Sequence, residues 1–327
     1  MTPLLTVGMP VYKSMPYLPE AIEGLLAQTC SDFNILAIVD DCSDGSIEYI
    51  ESVRDPRLRI IRRPKGGLTS ALNCMLREAK TPWLVRQDTD DVSYPNRIER
   101  ILDYIGKYPD TGVFHSDADY HPKELCVGQF RCTRGNPKDL RKVVESGYLL
   151  TLCHPSVVLN IEKALSIGGY RQSVSVEDAD MWWRMALQFD IRYIPEALVG
   201  YRHNPFQSTR LVIPQAVNGL YVQYLLLSQL WDFAPESMES VEPHLRSMIS
   251  LKHLQAKEHL RNANILLSQR KYPRAIGQAM LSMYAAPDYF FRRVADEFRN
   301  SRMITNGVDP AFFLRRKADF WPSTASR

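Results

Sequence analysis

Trp83-Leu84-Val85-Arg86-Gln87-Asp88-Thr89-Asp90-Asp91 runs a short apolar segment straight into a crowd of carboxylates. Its first part has the near-continuous apolar character of a strand covered on both faces. Just upstream, Leu68, Ala71, Leu72, Met75, Leu76 and Ala79 recur at the period of an amphipathic helix. The same alternation extends back towards the N-terminus. Residues 4–7, 35–39 and 58–61 read as strands, and Leu18, Ala21, Ile22, Leu25 and Leu26 as one helix face. Repeated β-α units predict an α/β fold: a Rossmann-like, mostly parallel sheet with helices on both faces.

Downstream, Ile98, Ile101, Leu102 and Ile105 mark another helix, and residues 113–115 another strand. The pattern is then irregular until Val157, so the doubly wound half is expected to end near Asp117. From about Val212 the chain reads as helical, with Leu220, Tyr224, Leu227 and Leu230 on one period. Between His259 and Tyr284 lies a helical pair spaced like a single tetratricopeptide-like repeat, which cannot bury its own face alone. A helical hairpin packed on the main domain is the simpler expectation. The predicted organisation is a main domain over 1–210, with halves 1–117 and 118–210, and a separate helical appendage over 211–327.

With 45% apolar and 24% charged residues in 327, the composition excludes disordered and collagen-like classes. A net charge of +3 gives no reason to expect a nucleic-acid partner. The six cysteines are scattered without zinc-like spacing, which fits a reducing compartment. No apolar run reaches the roughly 18 residues of a membrane span, so a cytoplasmic protein is expected.

In open α/β sheets ligands bind beyond the carboxyl ends of the strands. Two acidic clusters are predicted there. Asp40-Asp41-Cys42-Ser43-Asp44-Gly45-Ser46 follows the second strand, and taken alone it is as well explained by a turn with a helix cap. Asp88-Thr89-Asp90-Asp91 follows the fourth, and such crowding is relieved by a cation. Hard oxygen ligands favour Mg²⁺ or Mn²⁺ bridging to a diphosphate. A third feature, Glu177-Asp178, opens a helix that continues into Trp182 and Trp183. Its carboxylates suit the helix dipole, and equally a base beside an apolar surface.

Taken in order, Thr6-Val7-Gly8-Met9-Pro10-Val11-Tyr12, Gln28-Thr29, Asp40-Asp41, Asp88-Thr89-Asp90-Asp91 and Glu177-Asp178 resemble the motifs of family 2 glycosyltransferases, enzymes of the GT-A fold. The resemblance covers roughly residues 6–208 and leaves out the helical tail. It implies that Pro10, Val11 and Tyr12 line a nucleobase pocket with Asn73 nearby. Asp40 or Asp41 would meet the base, according to where a gap falls in the shortened turn, with Asp40 preferred. Asp88, Thr89 and Asp90 would face ribose and diphosphate, and Asp90 or Asp91 would hold Mn²⁺ or Mg²⁺.

Arg202 matches a residue that closes over the diphosphate. Asn204 stands where the family has His, which leaves His203 as a displaced candidate metal ligand. Leu72 replaces a common Arg. His154 and Trp182 would border the acceptor. The reaction implied is inverting transfer from a nucleotide sugar, UDP-linked by preference, to a saccharide or lipid-linked saccharide in cell-surface polysaccharide synthesis. Asp178 would be the base, with Glu177 beside it.

Two rivals remain. A sugar-phosphate nucleotidyltransferase would carry an early glycine-rich loop, yet residues 9–15 hold no glycine. A non-catalytic sugar-nucleotide-binding relic would have lost carboxylates, yet all are present. The tail is expected to lie away from the chemistry. Phe290, Phe291, Arg292, Arg293, Phe312, Phe313, Leu314, Arg315, Arg316, Lys317, Phe320 and Trp321 suggest peripheral contact with the inner face of the membrane; packing of these aromatics on the catalytic domain is the alternative.

Overall fold

A computed structural model describes residues 3–202, 212–299 and 304–321. The first half alternates strand and helix: β1 (Leu5–Val11), α1 (Leu18–Leu26), β2 (Asn34–Asp40), α2 (Ser46–Ser52), β3 (Leu58–Arg63), α3 (Leu68–Glu78), β4 (Trp83–Arg86), β5 (Val92–Ser93) and α4 (Arg97–Lys107). Next come β6 (Val113–His121), α5 (Pro137–Glu145), β7 (Leu149–Leu150), β8 (Val158–Asn160), α6 (Ile161–Ser166), α7 (Glu177–Gln188) and β9 (Ile191–Arg202). The remainder is almost all helix: α8 (Val212–Leu230), α9 (Met238–Ser247), α10 (Leu251–Ser268), α11 (Tyr272–Ala285), α12 (Pro287–Arg299), β10 (Thr305–Asn306), α13 (Ala311–Arg315) and α14 (Lys317–Phe320).

The main sheet has eight strands in the order β3-β2-β1-β4-β8-β6-β9-β5. Pairings among β3, β2, β1 and β4 and between β6 and β9 are parallel, while β8 and β5 pair antiparallel with their neighbours. The mostly parallel sheet read from the sequence is therefore present. Alternation along each strand divides the core in two. Leu36 and Ile38 of β2 point towards α3 and α7, whereas Ile35, Ala37 and Val39 pack with α1 and α4.

The helical region packs directly against the sheet domain. Val217, Leu220, Tyr224 and Leu227 of α8 share one buried cluster with Trp182, Trp183 and Met185 of α7. Phe313, Phe320 and Trp321 belong to that cluster too, with Trp321 stacked on Tyr224 at 5.2 Å between ring centroids. Those aromatics are core, so they are withdrawn from the expected membrane surface. β10 pairs antiparallel with β7 and ties the far end of the chain to the catalytic half.

Two other expectations needed lengthening or adding. β6 runs on to His121 rather than stopping near His115, and β9, twelve residues long, was not foreseen.

Candidate active site

Strand direction places the carboxyl ends of β1, β2 and β4 on one rim of the sheet, and a cavity of about 760 Å³ opens there. Pro10, Val11, Tyr12 and Asp40 line one end. Asp88, Thr89, Asp90 and Asp91 line the middle, and His154, Glu177 and Asp178 the opposite wall.

Asp40 is buried at the end of β2. It pairs with Nε of Arg63 at 2.5 Å, and its other oxygen accepts from the backbone N–H groups of Gly66 and Gly67, both at 3.0 Å. Gly67 sits at φ +80°, a backbone shape that a side chain would strain. Asp41 is exposed beside Arg62 and does not line the cavity. Lys65, which the sequence reading missed, reaches over the Tyr12 ring at 4.8 Å and joins the lining. Hydrogen bonding to Tyr12 raises its pKa. The signal was available in Lys65-Gly66-Gly67, a basic glycine turn at a strand's carboxyl end.

The acidic turn after β4 is held from below. Nε2 of Gln87 donates to the carbonyls of Asp88 and Asp91, both at 2.8 Å. Arg97, wholly buried on α4, donates to Oε1 of Gln87, the hydroxyl of Ser93, and the carbonyls of Arg86 and Pro155. Asp88 pairs with Arg86. Asp91 faces inward, and its Oδ1 accepts from the Arg202 backbone N–H at 2.8 Å. Burial, then the charges of Asp90 and Asp88, push the Asp91 carboxyl well above its ordinary range. Such a crowd of carboxylates fits a divalent cation chemically. Of the two metal candidates, Asp90 is the more open, while Asp91 serves as an anchor for the end of β9.

Three expected contacts are redirected. Both ends of the Asn73 amide bond the backbone of Tyr170, at 2.8 and 2.9 Å, so Asn73 clamps α3 to the turn before α7 instead of lining the cavity. Gly169 in that turn has φ +67°, and a Cβ there would stand 2.7 Å from the Asn73 oxygen. Arg202 donates to the Asp90 carbonyl at 2.9 Å, pairs with Glu20 and stays out of the lining. Trp182 is buried behind the wall, edge-on to His154 at 5.6 Å, and so supports His154 without reaching the cavity. His203 lies outside the described residues.

At the opposite wall, α7 begins with Glu177 and Asp178, whose charges suit a helix N-terminus. Burial, followed by repulsion from Asp178, raises Glu177 to about 7. Burial, then Arg86, depresses His154 to about 4. These two groups drive stability in opposite directions. Glu177, raised above its unfolded value, retains more protons in the folded state, so its contribution falls as pH rises through about 4.5 to about 7. His154, depressed, makes stability rise with pH from about 4 to about 6.5. Glu177→Gln removes only the falling part. Melting scans should therefore show a larger gain in Tm between pH 5 and 7 for the variant than for the wild type. Parallel curves would refute the assignment.

The tail contributes as well: Gln215 and Asn306 line the cavity, which corrects the expectation that it lies away from the chemistry.

A mostly parallel sheet with helices on both faces and a helical C-terminal region matches the GT-A architecture of solved glycosyltransferase structures. Residues 6–124 match the model for Glycosyl transferase family 2.

An uncharacterized glycosyltransferase of Rickettsia prowazekii is 26% identical over 233 residues, covering 65% of this chain and 68% of the relative. An uncharacterized glycosyltransferase of Bacillus subtilis, EpsJ, is 34% identical over 138 residues, 38% of this chain and 39% of its own. Among solved structures, S. aureus TarS in complex with UDP-GlcNAc superposes with a TM-score of 0.57 at 13% identity, over 98% of this chain and 99% of that one. A mannosyltransferase of Pyrobaculum calidifontis in complex with GDP-Man and Mn²⁺ gives 0.52 at 15% identity, over 92% and 83%.

Proposed function

We propose that this glycosyltransferase transfers a sugar, with inversion, from a nucleoside-diphosphate sugar to an acceptor hydroxyl of a saccharide or lipid-linked saccharide. The observation that carries the reading is a single cavity shared by the nucleotide rim and the Glu177-Asp178 wall. Tyr12 and Lys65 offer a face and a cation to the base and phosphates, and Asp40 shapes the loop beneath them. Asp88 and Asp90 face the ribose and diphosphate. Mn²⁺ or Mg²⁺ held by Asp90 would supply charge neutralisation of the departing diphosphate. An ion of this kind is commonly held by one or two carboxylates and the substrate's own phosphates. Asp178 takes the proton of the acceptor hydroxyl as the new bond forms at the anomeric carbon, in a single displacement.

UDP is the preferred nucleotide, supported by the UDP-GlcNAc complex of TarS, with GDP the alternative from the mannosyltransferase. Domain bounds of 1–210 and 211–327 are retained as the working division, and an acceptor in cell-surface polysaccharide synthesis on the cytoplasmic side of the membrane completes the proposal.

The test is thermal stabilisation by UDP, GDP and their sugars with Mn²⁺ and with EDTA. At a hundredfold excess over Kd, a ligand should add about 2.7 kcal/mol of apparent stability. Selective stabilisation that EDTA abolishes is the expected result. Equal stabilisation in EDTA removes the metal from the scheme, and no stabilisation by any nucleotide removes the donor.

A further inference from the structure

α11 turns an apolar face to solvent. Tyr272, Ile276, Met280 and Tyr284 are 56%, 59%, 60% and 88% exposed, and Met283 and Leu281 are exposed beside them. Their spacing puts Tyr272, Ile276, Met280 and Met283 on one side of the helix. Ala275 and Ser282 lie on the other side, where the Ser282 hydroxyl donates to the Ala256 carbonyl of α10 at 2.7 Å. The helix is thus already docked by its small residues, and the large apolar ones are left exposed. Contiguous apolar surface on this scale marks an interaction face.

Charge indicates what covers it. Residues 251–287, the α10–α11 hairpin, hold six Lys and Arg (Lys252, Lys257, Arg261, Arg270, Lys271, Arg274) against one carboxylate, Glu258. The hairpin alone is more positive than the whole chain, whose net charge is +3. α11 carries no Asp or Glu, and Arg270, Lys271 and Arg274 cluster at its start. On α12, Arg292 and Phe291 are also exposed, while the nearby carboxylate Asp288 pairs with His253. A second copy packed symmetrically on this face would set the same cations against one another. An anionic bilayer satisfies both features, with Tyr272 and Tyr284 at the ends of the stripe suited to the headgroup level.

We infer that α11 is a membrane-docking surface that seats the protein on anionic lipid, with Ile276, Met280 and Met283 entering the interface.

The experiment is sedimentation of the full chain with vesicles of phosphatidylcholine plus phosphatidylglycerol, against phosphatidylcholine alone. Binding to the anionic vesicles should weaken with salt. Ile276→Asp with Met280→Asp should lower vesicle affinity by about tenfold or more, and Arg270→Gln with Lys271→Gln and Arg274→Gln should weaken it on anionic vesicles. Leu165→Asp, at an exposed apolar site on α6, should leave it unchanged. Circular dichroism and Tm check the fold of each variant, with Ile276→Ser and Met280→Ser as the milder pair.

Wild-type protein left in the supernatant with both vesicle types overturns the inference, as does equal binding by the double Asp variant. A dimer in lipid-free buffer that the double Asp variant converts to monomer, without vesicle binding by the wild type, assigns the face to a second copy instead. The assay contains neither nucleotide nor metal, so its outcome is independent of the donor reading.

Discussion

Asp178→Asn should lower turnover by roughly 10²- to 10⁴-fold, the usual scale of general-base catalysis. The substitution keeps the size of the side chain and an oxygen able to accept the Ala179 N–H, a bond of 2.7 Å in the wild type, so the start of α7 should hold. It removes the basicity. Of the two neighbouring carboxylates, Glu177 is the deeper one, its pKa raised to about 7 by burial and then by the charge of Asp178. Asp178, only half-buried on the cavity wall, remains the carboxylate open to an acceptor hydroxyl. Donor affinity, measured by calorimetry, should change little because the nucleotide rim is built on other strands. The pH profile adds a second readout. Repulsion from Asp178 contributes to the raised Glu177 value, so Asp178→Asn should move the Glu177 titration downwards. Near-normal turnover in Asp178→Asn together with loss in Glu177→Gln would transfer the base role to Glu177. Full activity in both would remove a carboxylate base from the mechanism.

The nucleotide half was legible because its strands are buried on both faces and its helices carry strong apolar periodicity, as in β2 and α3. β9 was not, because its burial alternates irregularly along the strand and Pro195 interrupts its pattern. α5 escaped for a related reason: only Leu140 and Val144 of its nine residues are buried.

At the site, residue type could be read but direction could not. Asn73 and Arg202 have the right chemistry for a nucleotide, yet backbone groups and Glu20 engage them in the folded chain. The tail aromatics make the same point about burial. Phe313 and Phe320 read like Phe291 in sequence, but only tertiary packing separates the first two, fully buried, from the third, which is exposed.

Arg97→Met should be the most destabilising single change near the site, by about 3–5 kcal/mol, the scale for breaking a buried, hydrogen-bonded charge network. The guanidinium is wholly buried and burial lowers its pKa to about 10, so at neutral pH it is still charged. Nearby Asp91 opposes that fall by favouring the charged form. Its Nη1 bonds Gln87 and Ser93 at 2.9 and 2.8 Å, and its Nη2 reaches the carbonyls of Arg86 at 2.7 Å and Pro155 at 2.5 Å. One side chain thereby joins the end of β4, the β5 strand and the His154-Pro155-Ser156 turn, so that the acidic turn and the opposite wall keep a fixed separation. Methionine fills much of the volume but leaves four buried acceptors with a lost donor, each costing about 1–3 kcal/mol before relaxation. Thermal unfolding followed by circular dichroism should show Tm lower by on the order of 10 °C. Arg97→Lys retains the charge without the planar fork and should recover only part of the loss. A Tm within a degree or two of wild type for Arg97→Met would show that the two walls are held together by apolar packing alone, and the cavity's geometry would then have to be attributed to the clusters on either face of the sheet.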